Sequence, residues 1–249
     1  MFFAPSFLLL LGSAAAHLMS YDGFARCAIG RPTDEQVVNA KLLDEQNYKS
    51  PTKHICVDTY MHIIYANKTK PISKLQVAAQ FKALNVAFNP YDISFELLNV
   101  TFTKNDKWAS GDDEGTMKDS LRQGDYASLN LYFVDTAKLD NVNALGYCGF
   151  PINYPSDDTF TKDGCVIAAE SVPGGTSEPY NLGGTAIHEV GHWFGLFHTF
   201  QGGCEGDGDF VDDTPAQKEA TSGCPSRMDT CPDLPGDDPI HNYMDYSYD

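Results

Sequence analysis

Residues 188–198 read His188-Glu189-Val190-Gly191-His192-Trp193-Phe194-Gly195-Leu196-Phe197-His198. On a helix, residues four apart share a face, so His188 and His192 can present two imidazoles to one ion. Neutral imidazole is a zinc ligand at about 2.0–2.1 Å. Glu189 follows the first ligand and lies beside the open metal position, where it can take a proton from a metal-bound water. Gly195 can adopt a positive φ without steric cost, which ends the helix and turns the chain. The turn lets His198 return as a third ligand. Three protein ligands leave the fourth position to water, the arrangement of a catalytic site and not of a closed structural one.

Downstream, Asn242-Tyr243-Met244-Asp245-Tyr246 agrees with this reading. A zinc helix of this extended kind is followed by a Met-containing turn. Met244 would give the imidazoles a soft apolar floor. Tyr246 could hydrogen-bond an oxyanion as it forms. The remaining histidines, His17, His54, His62 and His241, have no ligand spacing and receive no role.

Upstream, segments of strand and helix character alternate. His54 to Ala66, Ile93 to Thr103, Leu129 to Asp135, Ala144 to Pro151 and Cys165 to Val172 read as strands. A helix from Ser73, its N-cap, to Phe88 carries an apolar stripe of Leu75, Ala78, Ala79, Leu84 and Phe88. Glu114 to Arg122 is a short helix, and Leu182 to Phe197 holds the metal ligands. This is an α/β (α+β) pattern, a twisted mixed sheet with helices in an upper lobe. After His198 the chain changes character. Residues 201–249 hold twelve acidic and two basic residues with frequent Gly and Pro, an irregular lower lobe.

The whole chain has 249 residues and a formal net charge of −17. Such acidity argues against nucleic acid as a partner, because phosphate binding needs a basic face. It also argues against anionic membrane surfaces. Phe2 to Leu11 is apolar but too short to span a bilayer, and Ala14-Ala15-Ala16 offers a cleavage site. Residues 1–16 therefore read as a signal peptide, 17–52 as a leader with at most one short helix, and 53–249 as the catalytic domain of a secreted protein.

Seven cysteines fit an oxidising compartment. Cys148 and Cys165 flank the loop between two adjacent strands and are expected to pair. For Cys27 two readings stand: a thiolate on the metal that keeps an unprocessed chain latent, or a disulfide to Cys56. Asn67-Lys68-Thr69 and Asn99-Val100-Thr101 are sequons for glycans. Glu205, Asp207, Asp209, Asp212, Asp213 and Thr214 place many oxygens in a Gly-rich loop that could curl around calcium.

With these residues in view, the chain resembles the pappalysin family of metzincin metalloendopeptidases, and among them the secreted fungal extracellular metalloproteases. Besides 188–198, the resemblance rests on Leu145-Gly146-Tyr147-Cys148, Asp163-Gly164-Cys165, Thr199-Phe200-Gln201-Gly202-Gly203-Cys204, Asp213-Thr214-Pro215-Ala216-Gln217 and Asp238-Pro239-Ile240-His241-Asn242-Tyr243-Met244-Asp245-Tyr246-Ser247. It implies a metzincin-like zincin domain with a cleft between two lobes and zinc-dependent cleavage of proteins or peptides. It implies His188, His192 and His198 as ligands of one zinc, Glu189 as general base and Tyr246 as a partner of the metal. Calcium in the lower lobe is implied too. So is pairing of Cys204 with Cys231, and of Cys224 with a cysteine beyond Asp249. That last cysteine is absent here, which makes Cys224 an orphan and the lower lobe short. Family members carry Cys-Gly-Thr where this chain has Cys27-Ala28-Ile29. The substrate is expected to lie along the Ala144 to Pro151 strand, and the enzyme to be a monomer. The alternative is a secreted homologue that binds zinc without catalysis.

Overall fold

The computed structural model describes residues 20–21, 24–29, 33–42 and 54–249. The expected signal peptide lies outside them, as does much of the leader. The segment expected to be a leader contributes strands β1 (Ser20–Tyr21) and β2 (Phe24–Ala25) and helix α1 (Asp34–Leu42). Then follow β3 (Ile55–Tyr65), α2 (Lys74–Phe88), β4 (Ile93–Lys104), α3 (Asp106–Ala109), α4 (Glu114–Leu121) and β5 (Leu129–Val134). Next come β6 (Ala137–Leu139), β7 (Val142–Ala144), β8 (Gly146–Cys148), α5 (Asp157–Lys162), β9 (Cys165–Ala168) and α6 (Gly184–Trp193). No helix among the described residues is long and apolar enough to cross a membrane.

The main sheet runs β4-β3-β5-β9-β8. Its first four strands are parallel, and β8 is antiparallel to β9 at the edge. Strand β5 is buried along its whole length, and its period of two splits it between two cores. Leu129, Leu131 and Phe133 face α2 and α6, packing with Val77, Leu84, Ile187 and Val190. Tyr132 and Val134 face the other side, with Met117 and Ala109. The mixed sheet under α6 is the fold the sequence pattern predicts. His62 lies inside the sheet region, its ring nitrogens 2.8 Å from Thr101 Oγ1 and 3.1 Å from Asn130 Oδ1.

Several element boundaries differ from expectation. Ser73 does cap α2, in a full capping box with Gln76. However, the buried face of α2 is Val77, Gln80 and Leu84, while Leu75 is 83% exposed. The stripe is rotated because its centre is polar: buried Gln80 donates from Nε2 to the Gly183 carbonyl at 3.1 Å, just before α6. The strand expected over 144–151 ends at Cys148, ahead of Phe150, which turns in toward His192 and Phe197. The strand from Cys165 ends at Ala168 and passes into a 3₁₀ turn over Ala169–Ser171.

After α6 the described chain has no regular helix or strand. The disulfide Cys204–Cys231 ties this lower lobe together, and Cys148–Cys165 joins β8 to β9. Cys224 carries no disulfide. The alternative bond of Cys27 to Cys56 is absent: Cys27 is buried, Cys56 is exposed, and both are free. The leader strand carries Cys27 inward, away from the outer end of β3.

Candidate metal centre

Helix α6 is shorter than 182–197 because both ends are fixed by specific contacts. Its N-cap Gly183 has φ 98°. Asp249 Oδ2 accepts from the backbone N–H of Leu182 and Gly184 at 2.9 and 3.2 Å, satisfying donors that a helix start leaves open. At the other end Gly195 takes φ 96°, its N–H bonds the His192 carbonyl, and the chain swings His198 back. Gly195 does what the sequence required of it.

The three imidazoles converge. His188 Nε2 and His192 Nε2 are 3.1 Å apart, and His198 Nε2 is 3.2 and 3.1 Å from them. A tetrahedral ion with bonds of about 2.0–2.1 Å needs ligand atoms about 3.3 Å apart, so the triangle fits a metal. The outer nitrogens fix the tautomers. His188 Nδ1 lies 2.6 Å from the Tyr243 carbonyl and His192 Nδ1 2.8 Å from the Leu196 carbonyl, so each Nδ1–H donates and leaves Nε2 as the ligand. Burial and the neighbouring rings hold His188 and His198 well below the usual imidazole range, and burial lowers His192 to about 4. All three stay neutral, the form that binds metal.

Around them stand the other predicted groups. Met244 is buried under α6, and a Cβ at Gly191 would collide with its sulfur. Tyr246 Oη is 3.2 Å from His198 Nε2. Glu189 is fully buried, with Oε1 lacking any hydrogen-bond partner and Oε2 3.6 Å from Cys27 Sγ. Burial pushes its carboxyl up to about 8, opposed by Cys27 and by the Arg26 charge. Cys27 completes the constellation: its sulfur and one nitrogen of each histidine all lie within 4.8 Å of one another. Among the described residues this is the one such group of His, Cys, Asp and Glu.

The calcium set is not gathered in that way. Asp209 is buried and bonded to Val211 N–H at 3.1 Å, with burial raising it to about 6. Asp207 pairs instead with Lys41 of α1 at 2.9 Å. Glu205, Asp212 and Asp213 are exposed, and Thr214 is half-buried. Both sequon asparagines, Asn67 and Asn99, lie on the surface.

Sequence reasoning missed Arg26. Its guanidinium is buried, 3.2 Å from Asp249 Oδ1 and 4.1 Å from the Tyr180 ring centre, with Nε and Nη1 unpartnered. It also missed Asp163, which holds the Trp193 indole N–H at 3.1 Å beside ligand His192 and pairs with Arg122 at 3.0 Å. Only the position of Arg26 next to Cys27 could have singled it out.

The sequence profile of the pregnancy-associated plasma protein-A (pappalysin) peptidases matches residues 123–248. An extracellular metalloprotease of Colletotrichum graminicola is 46% identical over 251 residues, 96% of this chain and 88% of its own. Extracellular metalloprotease 1 of Coccidioides posadasii is 50% identical over 197 residues, 78% of this chain and 70% of that protein. The chain belongs to the pappalysin family. It is an extracellular metalloendopeptidase; the family implies a catalytic metal, and the histidine triangle fits one. A solved structure of a promirolysin mutant from Tannerella forsythia matches with a TM-score of 0.69 at 27% identity, covering 86% of this chain and 81% of that one. Mature mirolysin in complex with a cleaved peptide matches at 0.63 and 29%, covering 80% and 86%. The chain therefore shares the overall fold of these structures.

Proposed function

We propose that this pappalysin is a zinc endopeptidase whose leader keeps it latent, with Glu189 as general base and Tyr246 as oxyanion partner. The carrying observation is the triangle of neutral Nε2 atoms with the Glu189 carboxylate beside it. When bound, zinc supplies Lewis-acid polarisation of water and of the scissile carbonyl. Glu189 takes the water proton and hands it to the leaving amine, a role that fits a buried carboxyl with an elevated pKa. Tyr246 donates its phenolic hydrogen to the developing oxyanion. The presence of both groups at the triangle counts against a zinc-binding homologue without catalysis.

The Cys27 sulfur lies within 4.8 Å of a nitrogen of each histidine, which supports its standing in for the reacting water and carbonyl. The leader also covers the expected peptide strand. Leu145 N–H donates to the Ala25 carbonyl at 2.9 Å, and Ala28 N–H donates to the Gly146 carbonyl at 3.1 Å. An extended substrate would need that same margin. Arg26 is buried against Asp249 and Tyr180, which supports a place for a basic substrate side chain there once the leader is removed. Calcium rests on the oxygen content of the 205–214 loop and on the family resemblance, and a melting temperature raised by millimolar calcium is its check.

Glu189→Gln in the mature enzyme should retain about one zinc per chain and lose at least 100-fold in kcat, within the range of proton-transfer catalysis. Activity within tenfold of wild type would overturn the assignment. In the unprocessed chain, Cys27→Ala should give activity without cleavage. Equal activity of that variant and the unprocessed wild type would remove the latency role.

A further inference from the structure

The segment Asp213-Thr214-Pro215-Ala216-Gln217 stands out in the sequence, yet nothing in the proposed reaction uses it. Its last residue is at the centre of a buried polar cluster. Gln217, Thr221, Thr199 and Asp245 are each 2% exposed or less. Thr199 Oγ1 donates to Gln217 Oε1 at 2.6 Å. Gln217 Nε2 is 3.1 Å from Asp245 Oδ1, 3.0 Å from Thr221 Oγ1 and 3.0 Å from the Glu219 carbonyl. The Thr221 N–H also donates to Asp245 Oδ1, at 2.9 Å.

Two partners of this amide, Thr199 and Asp245, are immediate neighbours of the reactive groups. Thr199 follows the ligand His198, and its N–H reaches the Met244 carbonyl at 3.3 Å. Asp245 stands between Met244 and Tyr246. The same loop packs Ala220 into the cluster that holds Tyr246 and Cys27. One side chain thus links the chain after the third ligand to the chain that carries the phenol. Among the described residues no other hydrogen bond from the Gln217 side chain leaves this group, so it fixes relative position and touches no reacting atom.

We propose that Gln217 is the positioning residue for Tyr246. It sets the phenol against His198 by holding Thr199 and Asp245 at a fixed separation. A buried amide suits this task, because it accepts from one segment and donates to the other, and any shift leaves a buried polar group unpaired. The inference rests on the role proposed for Tyr246.

The test is a double-mutant cycle on the zinc-loaded mature enzyme with a quenched fluorescent peptide. Gln217→Met keeps the shape and removes the bonds. It should lower kcat about tenfold while KM moves less than twofold and zinc content stays near one. Tyr246→Phe should lower kcat by more, roughly 10²-fold, as for loss of an oxyanion donor. Added to Tyr246→Phe, Gln217→Met should then change kcat less than twofold, because the two act as one unit. A tenfold loss that persists in the Tyr246→Phe background overturns the proposal, since a purely structural defect would be additive. If Tyr246→Phe leaves kcat unchanged, the role of Tyr246 itself fails and the inference fails with it. Thr199→Val, which removes one hydroxyl, serves if Gln217→Met does not fold. Its smaller kcat loss should likewise vanish beside Tyr246→Phe, and a loss that remains refutes the proposal.

Discussion

Gly191 lies between the first two ligands and the Met-turn, where only a hydrogen fits above the Met244 sulfur. Gly191→Ala should push the turn away from α6 and disturb the carbonyl of Tyr243 that orients His188. We expect zinc affinity to fall roughly tenfold, the scale for loss of outer ligand support, measured by chelator competition. Unchanged affinity would mean that Met244 moves aside freely. His62 makes a different prediction. Burial lowers it from 6.5 to about 4, only partly offset by its bond to Asn130. Between those values the unfolded chain binds the extra proton and the folded chain does not, so stability falls as pH drops from 6.5 to about 4. Urea unfolding of His62→Gln beside wild type, both in chelator, should show wild type losing more on acidification. Parallel curves would remove His62 from the account. The gathering of His188, His192 and His198 around Gly195, with Glu189 between the first two, was legible in the sequence because the spacing is local. Arg26, Gln217 and Asp249 were not, because each acts on a partner far along the chain.

Helix α2 shows what an element reveals and hides. Ser73 announces its start, and the capping box with Gln76 follows from residues three apart. Ser73→Ala should cost about 1 kcal/mol by urea denaturation. A cost near zero would mean that the strand–helix turn is held elsewhere. The face of α2 was misread because Leu75 and Ala78 are apolar while Gln80 is not. Apolar periodicity cannot anticipate a buried amide that serves another helix's N-terminus. The strands were read well where they are central: β3, β4 and β5 match their predicted spans to within one residue. The edge was read poorly, since β8 has three residues and its neighbours leave the sheet to meet the site.

At the scale of the molecule, an upper α/β lobe and an irregular acidic lobe meet at the histidines, as the charge distribution and element pattern anticipated. The path of the leader was not legible: a short polar segment gives no periodicity, and its course is set by β7, Arg26 and Cys27. Separating it should depend on the Arg26 anchor. Arg26→Ala in the unprocessed chain should speed activation severalfold, followed as the appearance of peptidase activity with time. An unchanged lag would assign retention to Cys27 and the strand contacts alone. The outermost strand raises one more matter. Cys148 and Cys165 occupy partner positions on β8 and β9 and are covalently joined. A three-residue margin held by hydrogen bonds alone could slip by one residue, which would turn Tyr147 to the opposite face. The bond makes that margin a seam riveted in one register. A long substrate that pairs along this margin depends on its register at more points than a short peptide does. Mild reduction should therefore blunt digestion of full-length casein well before it slows cleavage of a hexapeptide.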